Sequence, residues 1–354
     1  MKCVQLIQRG GEVAIHSAGS AAVSGADARQ GILNSPGTAR AVRSLWSSEA
    51  LETTNVVMSL PPDAVYIKWL HLETSSEAEL DSIARSTATR GAPFPAHEAV
   101  VDYRIISSSP TGSHTTYFVM LVAASSSAVD SLLDVAENAG LEPIAVDIGT
   151  AAALRSFSAQ RGGADPLWGG QPRAHCIIGA RGTTVAVVRD DALEFARTVP
   201  VGGNDFTRCV AEAAGVSWEE AERIKMRPDA RLTEDGMMIT SHNSGELRVP
   251  CANLLNHLSR EIHRSLKYFS SQFAECSYLG MIGTMTLSGG GALLKGLDHY
   301  LQQYGTEVTG VTNPFAGLPV DADGGGVEQV IGSAAAYTTA VGLALGGYWD
   351  HIPH

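Results

Sequence analysis

Hydrophobic and polar positions alternate in short runs along the first part of the chain, which predicts strands separated by tight turns. Two apolar runs within residues 4–15 flank a glycine pair and predict a hairpin. Helical spacing of apolar residues predicts helices at about 37–48, 76–90 and 129–139, and a glycine in the C′ position ends the third. Together with the strands between them, the last two helices predict a ββαββα unit over about 59–142, compact enough to be an inserted subdomain.

The pattern in the second half predicts a further α/β lobe. Apolar runs at 176–178, 183–188 and 193–199 predict strands, and Ser217 with Glu220 forms a capping box that begins a helix. The clearest helix is Leu254–Phe273, whose apolar residues recur at helical spacing. The segment Gln160–Arg173 is rich in Gly, Pro and Asp, and we interpret it as the crossing between two lobes.

Composition narrows the functional classes. The chain has 354 residues, enough for about two or more domains, and 44% of them are hydrophobic. A net charge of −12 argues against nucleic-acid binding and against docking on an anionic membrane. The five cysteines lack metal-ligand spacing, so we expect reduced cysteines in a cytosolic protein. The apolar stretch 334–349 is shorter than the roughly 18 residues of a membrane span, and it predicts a buried helix instead of direct membrane insertion.

Two glycine-rich turns and one charged pair carry the candidate chemistry. Gly289, Gly290 and Gly291 follow a β-run and precede a helix, where glycine lets the backbone approach a ligand and helix amides suit anions. Such a turn is equally compatible with a tight strand-to-helix corner. Glu222 and Lys225 share a helix face, either in a binding site or as a solvated ion pair.

An ordered set of motifs covers nearly the whole chain, although each motif is weak by itself. The motifs are Pro93–Pro95, Val101–Tyr103, Ala139–Pro143, Thr198–Asp205, Ala221–Lys225, Arg260–Tyr268, Leu287–Leu297, Asn313–Phe315 and Ala336–Leu345. In this order they resemble the PilM family, actin-like proteins of type IV pilus assembly.

This resemblance implies an α/β, actin-like (RNase H-like) two-lobed ATPase fold with an ATP cleft and an inserted SHS2-like ββαββα subdomain. The implied division is 1–58 for part of the first lobe, 59–142 for the subdomain, 143–173 for the rest of the first lobe and the crossing, 174–329 for the second lobe with a helical subdomain at 204–273, and 330–354 for a helix that returns to the first lobe. If ATP or ADP still binds, the resemblance places Gly289, Gly290 and Gly291 at adenosine, Glu222, Lys225 and Glu261 near ribose and base, Gly202 and Gly203 on the cleft floor, and Gly179, Thr183 and Thr184 at the phosphate hairpin.

Two departures from the family pattern argue against catalysis. The family's second phosphate hairpin has an Asp two residues before a glycine, and this chain has Ile177 there, which cannot hold Mg²⁺. The strand and Asp of the first hairpin would precede Met1, so either the sequence starts short or the lineage lost them. Asp147 resembles the missing Asp but is expected to cap a helix, and Arg181 is either a phosphate ligand or an exposed turn residue. We predict no catalytic residue and no metal site.

Two functions follow from the resemblance. The first is a cytosolic scaffold of a type IV pilus or type II secretion-like platform, peripheral to the inner membrane, that binds the N-terminal tail of a PilN-type membrane protein and other platform proteins. Its peptide groove would use Trp69, Leu70, Pro93 and Phe94, each of which could instead pack in the subdomain core. The second is an actin-like protein that binds and hydrolyses ATP and whose assembly is controlled by the nucleotide. We disfavour the related FtsA family, because the chain ends soon after its last core helix, and we leave homo-oligomerisation open.

Overall fold

We describe a computed structural model over residues 1–23, 36–49, 51, 53–74, 76–112, 114–159, 171–189, 192–271, 282–305 and 308–349. The strands are β1 (Lys2–Arg9), β2 (Glu12–Ser20), β3 (Asn55–Leu60), β4 (Val65–Thr74), β5 (Ala99–Thr111), β6 (His114–Ser125), β7 (Glu142–Ile148), β8 (Arg173–Ile178), β9 (Thr183–Arg189), β10 (Ala192–Val199), β11 (Arg231–Leu232), β12 (Met237–His242), β13 (Gly245–Pro250), β14 (Thr284–Ser288), β15 (Val308–Val311) and β16 (Val320–Gly325). The helices are α1 (Pro36–Ser48), α2 (Glu77–Gly91), α3 (Ser126–Ala139), α4 (Gly149–Ala159), α5 (Gly203–Ala214), α6 (Trp218–Lys225), α7 (Ala252–Ser271), α8 (Leu297–Tyr304), α9 (Val327–Val330) and α10 (Thr338–Trp349).

The second lobe is built on a five-stranded sheet with the order β10-β9-β8-β14-β15. β8 lies at its centre, antiparallel to β9 and parallel to β14. Because side chains alternate along a strand, Cys176 and Ile178 of β8 point to one face, where they join the core formed with α7. Leu258 and Ile262 of α7 are buried in the same core, so the predicted apolar stripe of the long helix is confirmed.

The first lobe has the same kinds of strand pair, but its sheet is divided. β1 and β2 form an antiparallel hairpin, as β9 and β10 do, and β16 pairs parallel with β2. β3 and β7 form a parallel pair, as β14 and β15 do. Among the described strands none lies between β1 and β3, the position that β8 holds in the second lobe. Helix α10 packs against both β1 and β3 and so connects the two parts.

Helices α4 and α10 pack closely because of a glycine. A methyl group at Gly342 of α10 would overlap the carbonyl oxygen of Ala152 in α4, so a side chain there would force the helices apart. Arg155 of α4 donates from Nη1 to the carbonyl oxygen of Gly342 at 2.6 Å and from Nη2 to Asp147 at 2.8 Å. Asp147 lies within β7 and pairs with Arg155, so the expectation that it caps α4 is wrong.

The predicted ββαββα order is present from β3 to α3, but its elements pack in two places. β4, β6 and β5 form a separate three-stranded sheet covered by α2. β3 and α3 pack with β7 and α1, where Val56, Val135 and Val42 share a core, while Leu132 of α3 also packs with Ala124 of β6. We use the name inserted unit for β4, α2, β5 and β6 alone, and the limits 59–142 stay a prediction.

The other face of the inserted unit packs against the second lobe. Trp69 of β4 and Met120 of β6 share a core with Val188 and Leu193, which lie in the β9–β10 hairpin. The indole Nε1 of Trp69 donates to the carbonyl oxygen of Leu193 at 2.8 Å. The inserted unit is thus joined by noncovalent contacts to a lobe that is distant in sequence.

Three sequence expectations need adjustment. The expected helical subdomain at 204–273 also contains a small antiparallel sheet, β11-β12-β13. β16 already belongs to the first-lobe sheet at Val320, ten residues before the expected return at 330. The predicted crossing at Gln160–Arg173 and the end of the long helix at Phe273 lie largely outside the described residues.

Candidate functional site

The turn between β8 and β9 and the start of α5 hold each other directly. The amide of Gly203 donates to the carbonyl oxygen of Gly179 at 2.9 Å, and the amide of Asn204 donates to that of Ala180 at 2.7 Å. A methyl group at Gly202 would lie 2.6 Å from the amide nitrogen of Gly182. These glycines therefore permit a close contact between two segments of the chain.

The first amides of α5 all have partners within the protein. Gly202 donates to the Asp205 carboxylate at 2.9 Å, and the Asp205 amide donates to the carbonyl oxygen of Gly202 at 3.1 Å. A helix N-terminus binds anions through free amides and its positive end. Here carbonyl oxygens and the Asp205 carboxylate already take that role, so a phosphate would meet a negative charge.

The two hairpin threonines are also engaged. Thr183 is buried and its hydroxyl donates to the carbonyl oxygen of Val201 at 2.7 Å. The hydroxyls of Thr184 and Thr198 lie 3.2 Å apart. Thr183 thus serves the packing of the hairpin, whereas Thr184 faces the neighbouring strand β10.

Glu222 and Lys225 of α6 form a bonded cluster with α5. Lys225 Nζ donates to Glu222 Oε2 at 2.7 Å, to Thr207 Oγ1 at 2.8 Å and to the carbonyl oxygen of Gly203 at 3.1 Å. Thr207 also donates to Glu222. The Lys225 side chain is only 15% exposed and has three acceptors for its three protons. The Glu222–Lys225 pair is therefore not a solvated ion pair, and it joins α6 to the start of α5.

The triple glycine lies against the end of β8. Gly289 has a φ of 85°, which favours glycine, and its amide donates to the carbonyl oxygen of Ala335 at 2.8 Å. Methyl groups at Gly289 and Gly291 would overlap Ile178, whereas one at Gly290 would meet open space. Two of the three glycines are therefore required by chain packing, and Gly290 alone leaves backbone accessible.

Glu261 lies on α7 and binds arginines. Its carboxylate accepts from Arg197 at 3.2 Å and lies 3.5 Å from Arg264. These contacts hold α7 to β10. They do not bring Glu261 to the Lys225 cluster.

The residues present do not fit a magnesium-bound triphosphate. Ile177 pairs in register with Thr184 and Ser288 at the end of β8, where a metal would need a carboxylate. Within the described part of the chain, no three His, Cys, Asp or Glu side chains form a metal-binding group. Gly203, Glu222 and Lys225 do meet at the start of α5, but their polar groups bond to one another.

The four candidate peptide residues do not line one groove. Trp69 faces the second lobe, while Leu70, its neighbour on β4, faces the α2 side with Phe94. Pro93 is exposed. Because neighbouring residues of a strand point to opposite faces, Trp69 and Leu70 do not line one groove, and a peptide site in this segment stays a prediction.

A pocket that the sequence did not indicate lies where three parts of the molecule meet. It has a volume of 210 Å³ and is bounded by the ends of β3 and β7, the start of β4, and strands β9 and β10. Its lining includes Leu60, Tyr66, Ile148 and Thr198. We call it the junction pocket. Asp63, a lining residue, pairs with Arg181 at 2.6 Å, so Arg181 is a contact between the β8–β9 turn and the segment before β4.

Comparison with known proteins shows which family shares this architecture. The model of the type IV pilus assembly protein PilM family matches residues 1–348. The chain belongs to the PilM family. A solved structure described as the PilM-PilN type IV pilus biogenesis complex aligns at a TM-score of 0.77 with 23% identity, over 98% of this chain and 95% of that one. The fold is therefore the actin-like ATPase fold.

Other similarities are more distant. The cell division protein FtsA of Bacillus subtilis is 26% identical over 129 residues, which is 34% of this chain and 29% of the length of that protein. MreB 5 of Spiroplasma citri, solved with AMPPNP, aligns at a TM-score of 0.43 with 15% identity, over 64% of this chain and 66% of that one. Among the described helices of this PilM-family chain, none has both the length and the apolar character to cross a bilayer.

Proposed function

We propose that this PilM-family protein is a cytosolic scaffold of a type IV pilus or type II secretion-like inner-membrane platform. In this role it holds the cytoplasmic N-terminal tail of a PilN-type membrane protein and does not hydrolyse ATP. The PilM-PilN complex with the same fold supports the choice of partner.

One observation carries the proposal: the polar groups at the interlobe glycine turns bond to one another, while the junction pocket beside them stays open. A triphosphate there would face the Asp205 carboxylate and find Lys225 already bonded to three oxygens. Burying phosphate charge without a cation or free donors is costly. Peptide capture needs only a shaped cavity with apolar walls.

The junction pocket suits one or two anchor side chains. Its 210 Å³ is far above the roughly 10–15 Å³ that a cavity needs to hold one water molecule, so an apolar side chain has room to enter. A few buried apolar anchors usually carry most of the affinity of a peptide. A tail next to a membrane anchor tends to be basic on the cytosolic side, which complements the net charge of −12.

The test is a fluorescence-polarisation titration with the tail peptide of the PilN-type protein encoded beside this gene. Thr198 is exposed at the pocket, so Thr198→Trp should fill it and weaken binding at least tenfold. Thr111→Trp, at an exposed strand position outside the pocket, is the matched control and should bind as the wild type does.

Two results would count against the proposal in different ways. If no tail peptide binds even at several hundred micromolar, the scaffold role for this partner is wrong. If the peptide binds equally to the wild type and to Thr198→Trp, the partner stands and the junction pocket is not its site.

A further inference from the structure

A groove on the outer side of the second lobe collects positive charge in an otherwise acidic protein. It has a volume of 850 Å³ and runs along α7 beside the end of α8. Its lining includes Arg260, Arg264, Lys267 and Tyr304, all of which are exposed. We call it the basic groove. It shares no lining residue with the junction pocket.

The charges of the basic groove are poorly neutralised. Arg260 Nε donates to the backbone oxygen of Asn256 at 3.2 Å, and among the described residues neither Arg260 nor Lys267 pairs with a carboxylate. Arg264 shares Glu261 with Arg197, at the longer distance of 3.5 Å. Six other exposed arginines have carboxylates at 2.7–3.2 Å, namely Arg9, Arg85, Arg208, Arg223, Arg227 and Arg248. Arg40 and Arg104 also have none among the described residues, so the groove is distinguished by the succession of three cations along one helix.

The floor of the groove is polar as well. The Ser259 side chain is buried and its hydroxyl has no hydrogen-bond partner among the described residues. Tyr300 donates to Asn256 Oδ1 at 3.2 Å, and its hydroxyl lies 3.1 Å from that of Tyr304. Hydroxyls and cations together suit a carboxylate ligand, which only accepts hydrogen bonds.

The spacing of the cations points to an extended ligand. Arg260, Arg264 and Lys267 follow one another along α7 at rises of about 6 Å and about 4.5 Å. In an extended peptide, residues on the same face recur about every 6.6 Å. The lining from Asn253 to Lys267 covers about 21 Å of helix, room for about six extended residues. A single phosphate would use only one end of this array.

We propose that the basic groove docks an extended acidic segment of a partner protein, with carboxylates at alternating positions. Charge complementarity favours an acidic ligand, because the groove is positive while the chain as a whole has a net charge of −12. The same net charge disfavours a nucleic acid, whose phosphates would meet repulsion beyond the groove. A basic membrane-proximal tail would be repelled here, so this site is separate from the one under Proposed function.

The probe is a fluorescein-labelled Ser-Glu-Ser-Glu-Ser-Glu peptide, titrated in low salt against the full chain. The double variant Arg260→Glu/Lys267→Glu should weaken binding at least tenfold. Arg40→Glu/Arg104→Glu changes the net charge equally at exposed positions on α1 and β5, and should weaken binding less than threefold. Higher salt should weaken wild-type binding, as expected for charge pairing.

The proposal fails under any of three outcomes. The first is an acidic peptide that does not bind the wild type at millimolar concentration. The second is an equal loss in the two double variants, which would show only the effect of net charge. The third is a single-stranded oligonucleotide that binds more tightly than the peptide with the same dependence on Arg260 and Lys267, which would make the ligand a nucleic acid.

Discussion

The indole of Trp69 offers a direct test of how the inserted unit is held. Trp69→Phe keeps an aromatic ring in the contact but removes the 2.8 Å hydrogen bond to Leu193. Leaving a buried carbonyl unpaired costs about 1–3 kcal/mol. Because Trp69 is only half-buried, water can reach part of the site and reduce this cost. We therefore expect the substitution to weaken docking of the inserted unit by about 1 kcal/mol, a factor of about five in the undocking equilibrium.

Trp46 supplies a matched control. It is also half-buried, and its indole donates to the carbonyl oxygen of Thr53 at 2.8 Å, but this bond stays within one lobe. Hydrogen exchange read by mass spectrometry should show faster exchange at 65–70 and 192–199 in Trp69→Phe. In Trp46→Phe the faster exchange should be confined to about 46–56. Unchanged exchange in β10 together with weaker tail-peptide binding in Trp69→Phe would refute this reasoning and place Trp69 in a ligand site.

Three further predictions follow from the packing and the charges. Calorimetry should show no magnesium-dependent ATP binding, since Ile177 and Asp205 oppose it, and turnover abolished by EDTA would contradict this. Gly342→Ala should lower stability by about 1–3 kcal/mol through overpacking against Ala152. Gly332→Ala is the control, because its added methyl group meets no atom and should leave stability unchanged. Equal melting temperatures of the two variants would contradict this prediction. Asp321 is buried, and its hydrogen bond from His16, with nearby Arg9, lowers its pKa. Its stabilising effect is present above the unfolded pKa of about 3.9 and is lost as the pH falls through the lower folded pKa. Asp321→Asn should therefore lower the stability at pH 7 and leave it equal to that of the wild type at strongly acidic pH.

The sequence was sufficient for elements with strong periodicity and for the family. Leu258 and Ile262 specify the buried face of α7, and Ser217 caps α6 by accepting from the Glu220 amide at 3.2 Å, which is one of the two bonds of the predicted capping box. The ordered motifs were sufficient to predict the PilM family, which the family model over residues 1–348 confirms. Local patterns of this kind are encoded within one or two turns of chain.

The sequence was insufficient where long-range packing decides. The triple glycine suggested ligand approach, but Gly289 and Gly291 accommodate Ile178, more than a hundred positions earlier. Asp147 had the residue type of a helix cap and became the partner of Arg155 instead. The strands β12 and β13 were missed because their short runs lie between two clear helices. In each case the partner residue is distant or the signal is short.

The divided sheet of the first lobe gives α10 a connecting role. Within the described strands, no ladder joins β1 to β3. α10 packs against both strands, and Gly342 lets it also lie close to α4. Loosening this one helix would therefore weaken contacts in both parts of the lobe at once. Backbone amides of the β1–β2 hairpin and of the β3–β7 pair should accordingly lose protection against hydrogen exchange together with those of α10.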